Sequence, residues 1–271
     1  MRKTFLDILQ DKNTVDYEKE YQRLRYLFYE HKSDAIVFTE TMYSYINDNF
    51  LNFQCRKNAI SLKDFENEND IPFKTKNKPD DIDEMILFCE YVSTFCEQIS
   101  NSVSNDIVKL QNLLINQISN FMDSIGYCKI KKNAVVIFVP KEPAAIEVAE
   151  QINDNDVSFR ILCYNHYSLK GNLDEKRQIL DRLAHKLEPN EKELEKINLS
   201  LKKHLFGAFN NLNIRHNNLE AKDGDYNEKF AQLTDEKKEE MYDSLYKDCL
   251  IAFLELENNS KRCEIKDYYK K

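Results

Sequence analysis

Glycine and proline are nearly missing from this chain, at four and five of 271 residues. All-β folds spend these residues on turns, so their scarcity argues against a turn-dense β fold. It predicts long helices with short polar joints. Long hydrophobic runs are missing too: none approaches the roughly 18 residues needed to span a bilayer. The first thirteen residues carry Asp7 inside their only apolar stretch and so lack the apolar core of a signal peptide. The expectation is a cytoplasmic protein with no membrane partner. CxxC pairs are absent among the seven cysteines, an odd count that favours reduced, buried thiols. No Cys/His set has ligand spacing, and there is no P-loop, GxGxxG, HExxH, GxSxG or EF-hand loop. Neither metal nor cofactor is expected.

What is present is charge and apolar surface, 32% and 42% of residues, with a net charge of −8. The excess is N-terminal: residues 1–158 hold 18 basic and 26 acidic residues, and residues 159–271 hold 21 of each. No global basic field would attract nucleic acid, so any RNA contact has to be local.

The pattern along the chain divides it into 1–78, 79–156 and 157–271. In the first region, apolar spacing predicts a helix over Asp16–His31 and a second from Asp34 to about Phe50. The run from Lys74 to Asp81 reads as a linker, with Pro79 ahead of a new start. Helices are predicted over Asp80–Ser100 and Ser104–Ile125, the latter closed by Gly126. The period then changes. Tyr127–Ile130 and Ala134–Val139 read as a β-hairpin turning at Lys131–Asn133. A short helix, Ala144–Ile152, follows. From Val157 the sequence predicts four helices, Val157–Lys170, Leu173–Leu187, Glu191–Arg215 and Thr234–Asn258, with a frayed tail. Four amphipathic helices with short joints make a bundle, so the fold class is mainly α with one small hairpin near 127–139.

The stretch Asn210-Asn211-Leu212-Asn213-Ile214-Arg215-His216-Asn217-Asn218 holds five asparagines in nine residues. Asn is a poor helix former because its amide competes for nearby backbone groups. Such a cluster marks either a helix end or a polar site at the end of a bundle. Continued as a helix, Leu205, Phe209, Leu212 and His216 share one stripe. His166 continues Phe159, Leu162 and Leu169 in the same way, with Asn165 beside it. If these helices are neighbours, His166, Asn165, Arg215, His216 and Asn217 converge. Two readings stay open. One is a closed polar network that fixes helix register, with Arg215 capping backbone carbonyls. The other is a site where His moves protons and Arg holds a phosphate.

Residues from about 157 to 258 resemble the C-terminal helical domains of bacterial abortive-infection-type proteins, in the HEPN superfamily (higher eukaryotes and prokaryotes nucleotide-binding). The resemblance rests on Tyr164-Asn165-His166, Leu169-Lys170-Gly171, Leu187-Glu188-Pro189 and, above all, Asn213-Ile214-Arg215-His216-Asn217-Asn218. It implies a four-helix bundle that often pairs as a homodimer and, in active members, a metal-independent antiphage ribonuclease. It implies Arg215, His216 and His166 as catalytic residues, with Asn165, Asn217 and Asn218 as contacts to RNA or a nucleotide. Active members carry an Arg followed after four to six residues by a His. Here the His adjoins Arg215, and none follows. Arg160 and His166 match the spacing, but on one helix they lie about 240° apart. Silent members of the superfamily serve as binding or assembly modules, which is the alternative function.

Overall fold

The computed structural model describes residues 16–31, 40–100, 103–220, 222 and 225–269. Of the described residues 69% are helical, and among them there is one two-stranded antiparallel sheet. No helix among the described residues is long and apolar enough to cross a membrane. The expected cap at Asp34, like the N-terminal stretch with Asp7, lies outside the described residues. Contacts divide the chain into two compact units, Met1–Pro140 and Lys141–Lys271. This division falls inside the region 79–156 that the sequence pattern set apart.

The first unit runs α1 (Tyr17–Tyr29), α2 (Met42–Asp48), α3 (Leu62–Glu68), α4 (Ile82–Cys96), α5 (Asn105–Ser124), β1 (Tyr127–Lys132) and β2 (Val135–Pro140). Its helices begin where short polar side chains accept from the first turn, at Asp16, Thr41, Ser61, Asp81 and Ser104, which satisfies otherwise orphaned N–H groups. Helix α4 is the hub, buried continuously from Phe88 to Cys96. Around it an aromatic cluster forms, with Phe88 against Tyr21 and Phe73, and Phe95 against Phe53, Phe65 and Tyr91.

The hairpin sits on α4 through polar side chains spaced four apart. Glu90 accepts from the Phe138 N–H at 2.8 Å, Thr94 from the Val136 N–H at 3.0 Å, and Gln98 donates to the Ala134 carbonyl at 3.1 Å. Four helical residues rise about 6 Å and two strand residues about 6.6 Å, so the two spacings match. Gly126 (φ +81°) ends α5, and Asn133 (φ +56°) turns the hairpin.

The second unit runs α6 (Pro143–Gln151), α7 (Asn155–Cys163), α8 (Leu173–Leu187), α9 (Glu191–Ile197), α10 (Leu199–Asn211), α11 (Glu228–Ala231) and α12 (Asp235–Tyr269). Its core joins Val157, Ile161, Leu180, Leu183, Leu205, Phe209, Leu245 and Cys249. Three sequence expectations need correction. The helix from Val157 stops at Cys163, and Tyr167–Leu169 forms a separate 3-10 turn capped by His166. The helix from Glu191 breaks at Asn198, whose side chain caps Leu201 and also donates to Glu255 at 3.1 Å. Local capping by Asn wins over helix continuity there. The tail after Asn258 is helical to Tyr269 rather than frayed.

Candidate functional site: the asparagine-rich turn

Helix α10 ends at Asn211, so Arg215 and His216 do not continue its stripe. Asn213 adopts φ +59°, the left-handed conformation that Asn tolerates better than most residues. The chain reverses there, and the Arg215 N–H donates back to the Phe209 carbonyl at 3.0 Å. Ile214, not His216, enters the core, at 1% exposure. The cluster therefore marks the end of α10.

Asn218 holds the turn shut and is 0% exposed. Its side-chain oxygen accepts from the Asn213 N–H at 2.7 Å, and its amide donates to the carbonyls of Asn210 (3.1 Å) and Asp225. Its backbone N–H donates to the Asn213 side chain at 3.2 Å, and its carbonyl accepts from Asn227 at 3.0 Å. Both amide protons are used, as a buried side chain of this kind requires. Asn217 accepts from the Leu219 N–H at 3.2 Å, a local turn contact. The Tyr242 hydroxyl donates to the Leu212 carbonyl at 3.2 Å. Burial pushes that hydroxyl up to about 12, so it stays protonated.

Arg215 points away from solvent, with 15% of its side chain exposed. Its Nη2 donates to the Ala184 carbonyl at 3.3 Å and pairs with Glu188 at 3.0 Å. The guanidinium lies 5.4 Å and 5.2 Å from the ring centroids of Phe206 and Phe209, within cation–π range. Arg177 returns the contact by donating to the Ile214 carbonyl at 3.3 Å. His216 is about half exposed, its Nδ1 3.6 Å from Asp225.

His166 is buried at 8% exposure, but not as a continuation of a stripe with Phe159 and Leu162, because the helix ends at Cys163 and His166 caps the turn that follows. Its Nδ1 accepts from the Ser168 N–H at 3.3 Å and meets the Ser168 hydroxyl at 2.7 Å, so the ring proton sits on Nε2. Asn165 donates to Glu142 at 2.8 Å. The structure thus brings Arg215, His216, Asn217 and Asn218 into one turn. The bonds described for His166 and Asn165 run to Ser168 and Glu142 instead. Arg160, the other partner in the formal Arg–His match, pairs with Asp156 at 3.0 Å and Glu175 at 3.3 Å.

Sequence reasoning missed the ionic cluster behind this region. Lys176, 5% exposed, pairs with Glu239 and Asp243, each at 2.7 Å, and lies 5.1 Å from the Tyr164 ring centroid. Tyr164 stacks flat on Tyr246, with centroids 3.9 Å apart. Burial would raise Glu239, but Lys176 and the Gly171 N–H outweigh it and hold the carboxyl below its usual range. No local sequence signal marks this set, because its members come from three separate segments.

Clefts open among the described residues of the second unit. One of about 620 Å³ is lined by Lys186, Asn190, Phe253, Leu256, Asn259 and Cys263 among others. Another, about 520 Å³, surrounds Lys170, Gly171 and Asp174. Arg215, His216 and His166 line neither. The chain matches no protein-family model, no curated protein and no solved structure.

Proposed function

We propose that the second unit is a HEPN-like helical bundle acting in the cytoplasm as a binding or assembly module rather than as a ribonuclease. RNA or a nucleotide is the ligand class that the resemblance suggests. The observation that carries this reading is the engagement of Arg215. Its Nη2 is committed to Ala184 and Glu188, its guanidinium lies against two phenyl rings, and its Nε is buried without a partner. A phosphate-holding Arg needs its donors directed at an open position where charge develops. In this chain the same residue type at the same motif joins the end of α10 to the end of α8.

The competing ribonuclease reading draws on His216, which is solvent-reachable and lies 3.6 Å from Asp225. The two readings part in one experiment. Purified protein is incubated with total RNA in EDTA beside an Arg215→Ala/His216→Ala variant, and the unfolding midpoint of each is recorded. The module reading expects intact RNA in both samples and a lower midpoint for the variant. EDTA-resistant cleavage by the wild type, lost in a variant of unchanged midpoint, would overturn it.

A further inference from the structure

Strand β1 has its main chain satisfied on one side only. In an antiparallel ladder, facing residues alternate between pairs that exchange both main-chain bonds and pairs that exchange none. The N–H groups of Val136 and Phe138 donate to Thr94 and Glu90 on α4. Their opposite numbers, Lys131 and Lys129, therefore exchange no bond with β2, and the ladder runs through Cys128–Val139, Ile130–Ile137 and Lys132–Val135. The N–H and C=O of Lys129 and Lys131 point to the far side of β1. No main-chain bond from a described residue reaches them. The matching groups of β2 have α4 beside them, whereas those of β1 are an open template for another strand.

The side chains of the same two residues decide what can dock there. Lys129 and Lys131 are two apart and so share one face of the sheet. Both ammonium groups converge on the single carboxylate of Glu97, Lys129 at 2.6 Å with Lys131 beside it. Two cations on one anion leave an uncancelled positive charge at this edge. Both lysine side chains reach solvent, while that of Glu97 is nearly buried. The opposite face offers Cys128 and Ile130, both half-buried. Lysine on an edge guards against pairing with other chains, but it guards by charge. A second copy of β1 would set lysine against lysine and be repelled, as would any basic strand. An acidic strand passes that guard.

We propose that the open edge of β1 takes up an extended peptide with acidic residues at alternate positions, as an added strand. The peptide's main chain bonds the N–H and C=O of Lys129 and Lys131. Its carboxylates, two residues apart, lie beside the two ammonium groups and share them with Glu97. The residues between them are apolar and lie beside Cys128 and Ile130. The site belongs wholly to the first unit, so the inference goes beyond the reading of the second unit and does not depend on it.

Fluorescence anisotropy of the full chain tests the site with a labelled peptide of alternating Glu and Val, about ten residues long so as to cover the strand. It should bind with Kd on the order of 100 µM at low salt and several-fold more weakly in about 0.5 M salt. A Lys/Val peptide of the same length should not bind. In the complex the amide protons of Lys129 and Lys131 should exchange about tenfold more slowly, while that of Ile130, already in the ladder, changes little. Lys131→Pro removes an outward donor but no bond to β2, so it should weaken binding about tenfold and leave the unfolding midpoint close to wild type. Lys129→Gln/Lys131→Gln keeps the edge and removes its charge, and should lose the preference for the acidic peptide; either variant decides if the other fails to fold. No binding of the acidic peptide at about 1 mM, equal binding of both peptides by wild type, protection that spares Lys129 and Lys131, or undiminished binding by folded Lys131→Pro would each overturn the proposal. None of these results bears on the RNA assay, so the two readings fail separately.

Discussion

Arg215 and Glu188 join two helix ends: the guanidinium leaving the α10 turn pairs at 3.0 Å with the carboxylate just past α8. The same group caps the Ala184 carbonyl at 3.3 Å. Arg215→Ala removes the ion pair, the cap and the aromatic contact together. It should cost about 1–2 kcal/mol in urea denaturation, as for a charge-assisted bond with one half-exposed partner. Arg215→Lys should recover less than half of that, because an ammonium lacks the planar fork. A loss below about 0.5 kcal/mol for the alanine variant would contradict the clamp.

Asn218→Ala should also be costly, about 2 kcal/mol, since it leaves part-buried backbone groups of Asn210, Asn213 and Asp225 without this partner. Hydrogen exchange should localise the damage to residues 209–227 first. Uniform loss of protection across both units would argue against a local turn.

Lys57 holds φ +53° and ψ −118° at the first corner of the turn closed by Arg56 and Ala59. That conformation suits glycine. Lys57→Gly should stabilise the first unit by about 1 kcal/mol through relief of strain, an unusual sign for a change to glycine. Chemical denaturation would show it, and a destabilised variant would refute it.

Two carboxylates should give opposite responses to pH. Burial raises the Glu66 carboxyl, against the opposing hydroxyls of Tyr91 and Tyr43, which donate at 2.8 Å and 3.2 Å. A raised folded value means that its stabilising share is full below the unfolded value and lost as pH rises through the folded one. Glu239 is held low by Lys176 and Gly171. Its share is full above the unfolded value and lost as pH falls through the folded one. Peptide-resolved hydrogen exchange under acidification should therefore show the region around Glu239 loosening first. Glu239→Gln should flatten that response, and Glu66→Gln should flatten the opposite slope around α3. Matching slopes at the two sites would count against both assignments.

Much of the fold was legible because its signals are local. Pro143 opens α6, Gly126 closes α5, and β-branched Val135–Val139 marks a strand by composition alone. The candidate site was only half legible. Asparagines announced a helix end, but the left-handed step at Asn213 redirects everything after it, so a projection that carried the helix through to His216 put the wrong residue inside. Asn198 deceived in the same way, since an apolar stripe on both sides masks one capping side chain. The partners of Arg215 were out of reach, because Ala184 and Glu188 lie about thirty residues upstream and no spacing rule connects them.

The ladder of Glu90, Thr94 and Gln98 against β2 has a consequence for solubility. A hairpin of two strands has two bare edges, each a template on which another chain can add a strand. On the β2 side, a helix has taken the place of that strand, offering side-chain oxygens where a neighbour would offer carbonyls. Removing these acceptors would not merely loosen the sheet. It would uncover Val136 to Val139, a β-branched and aromatic run of the kind that seeds cross-β aggregation, so Thr94 and Glu90 act as gatekeepers placed on another element.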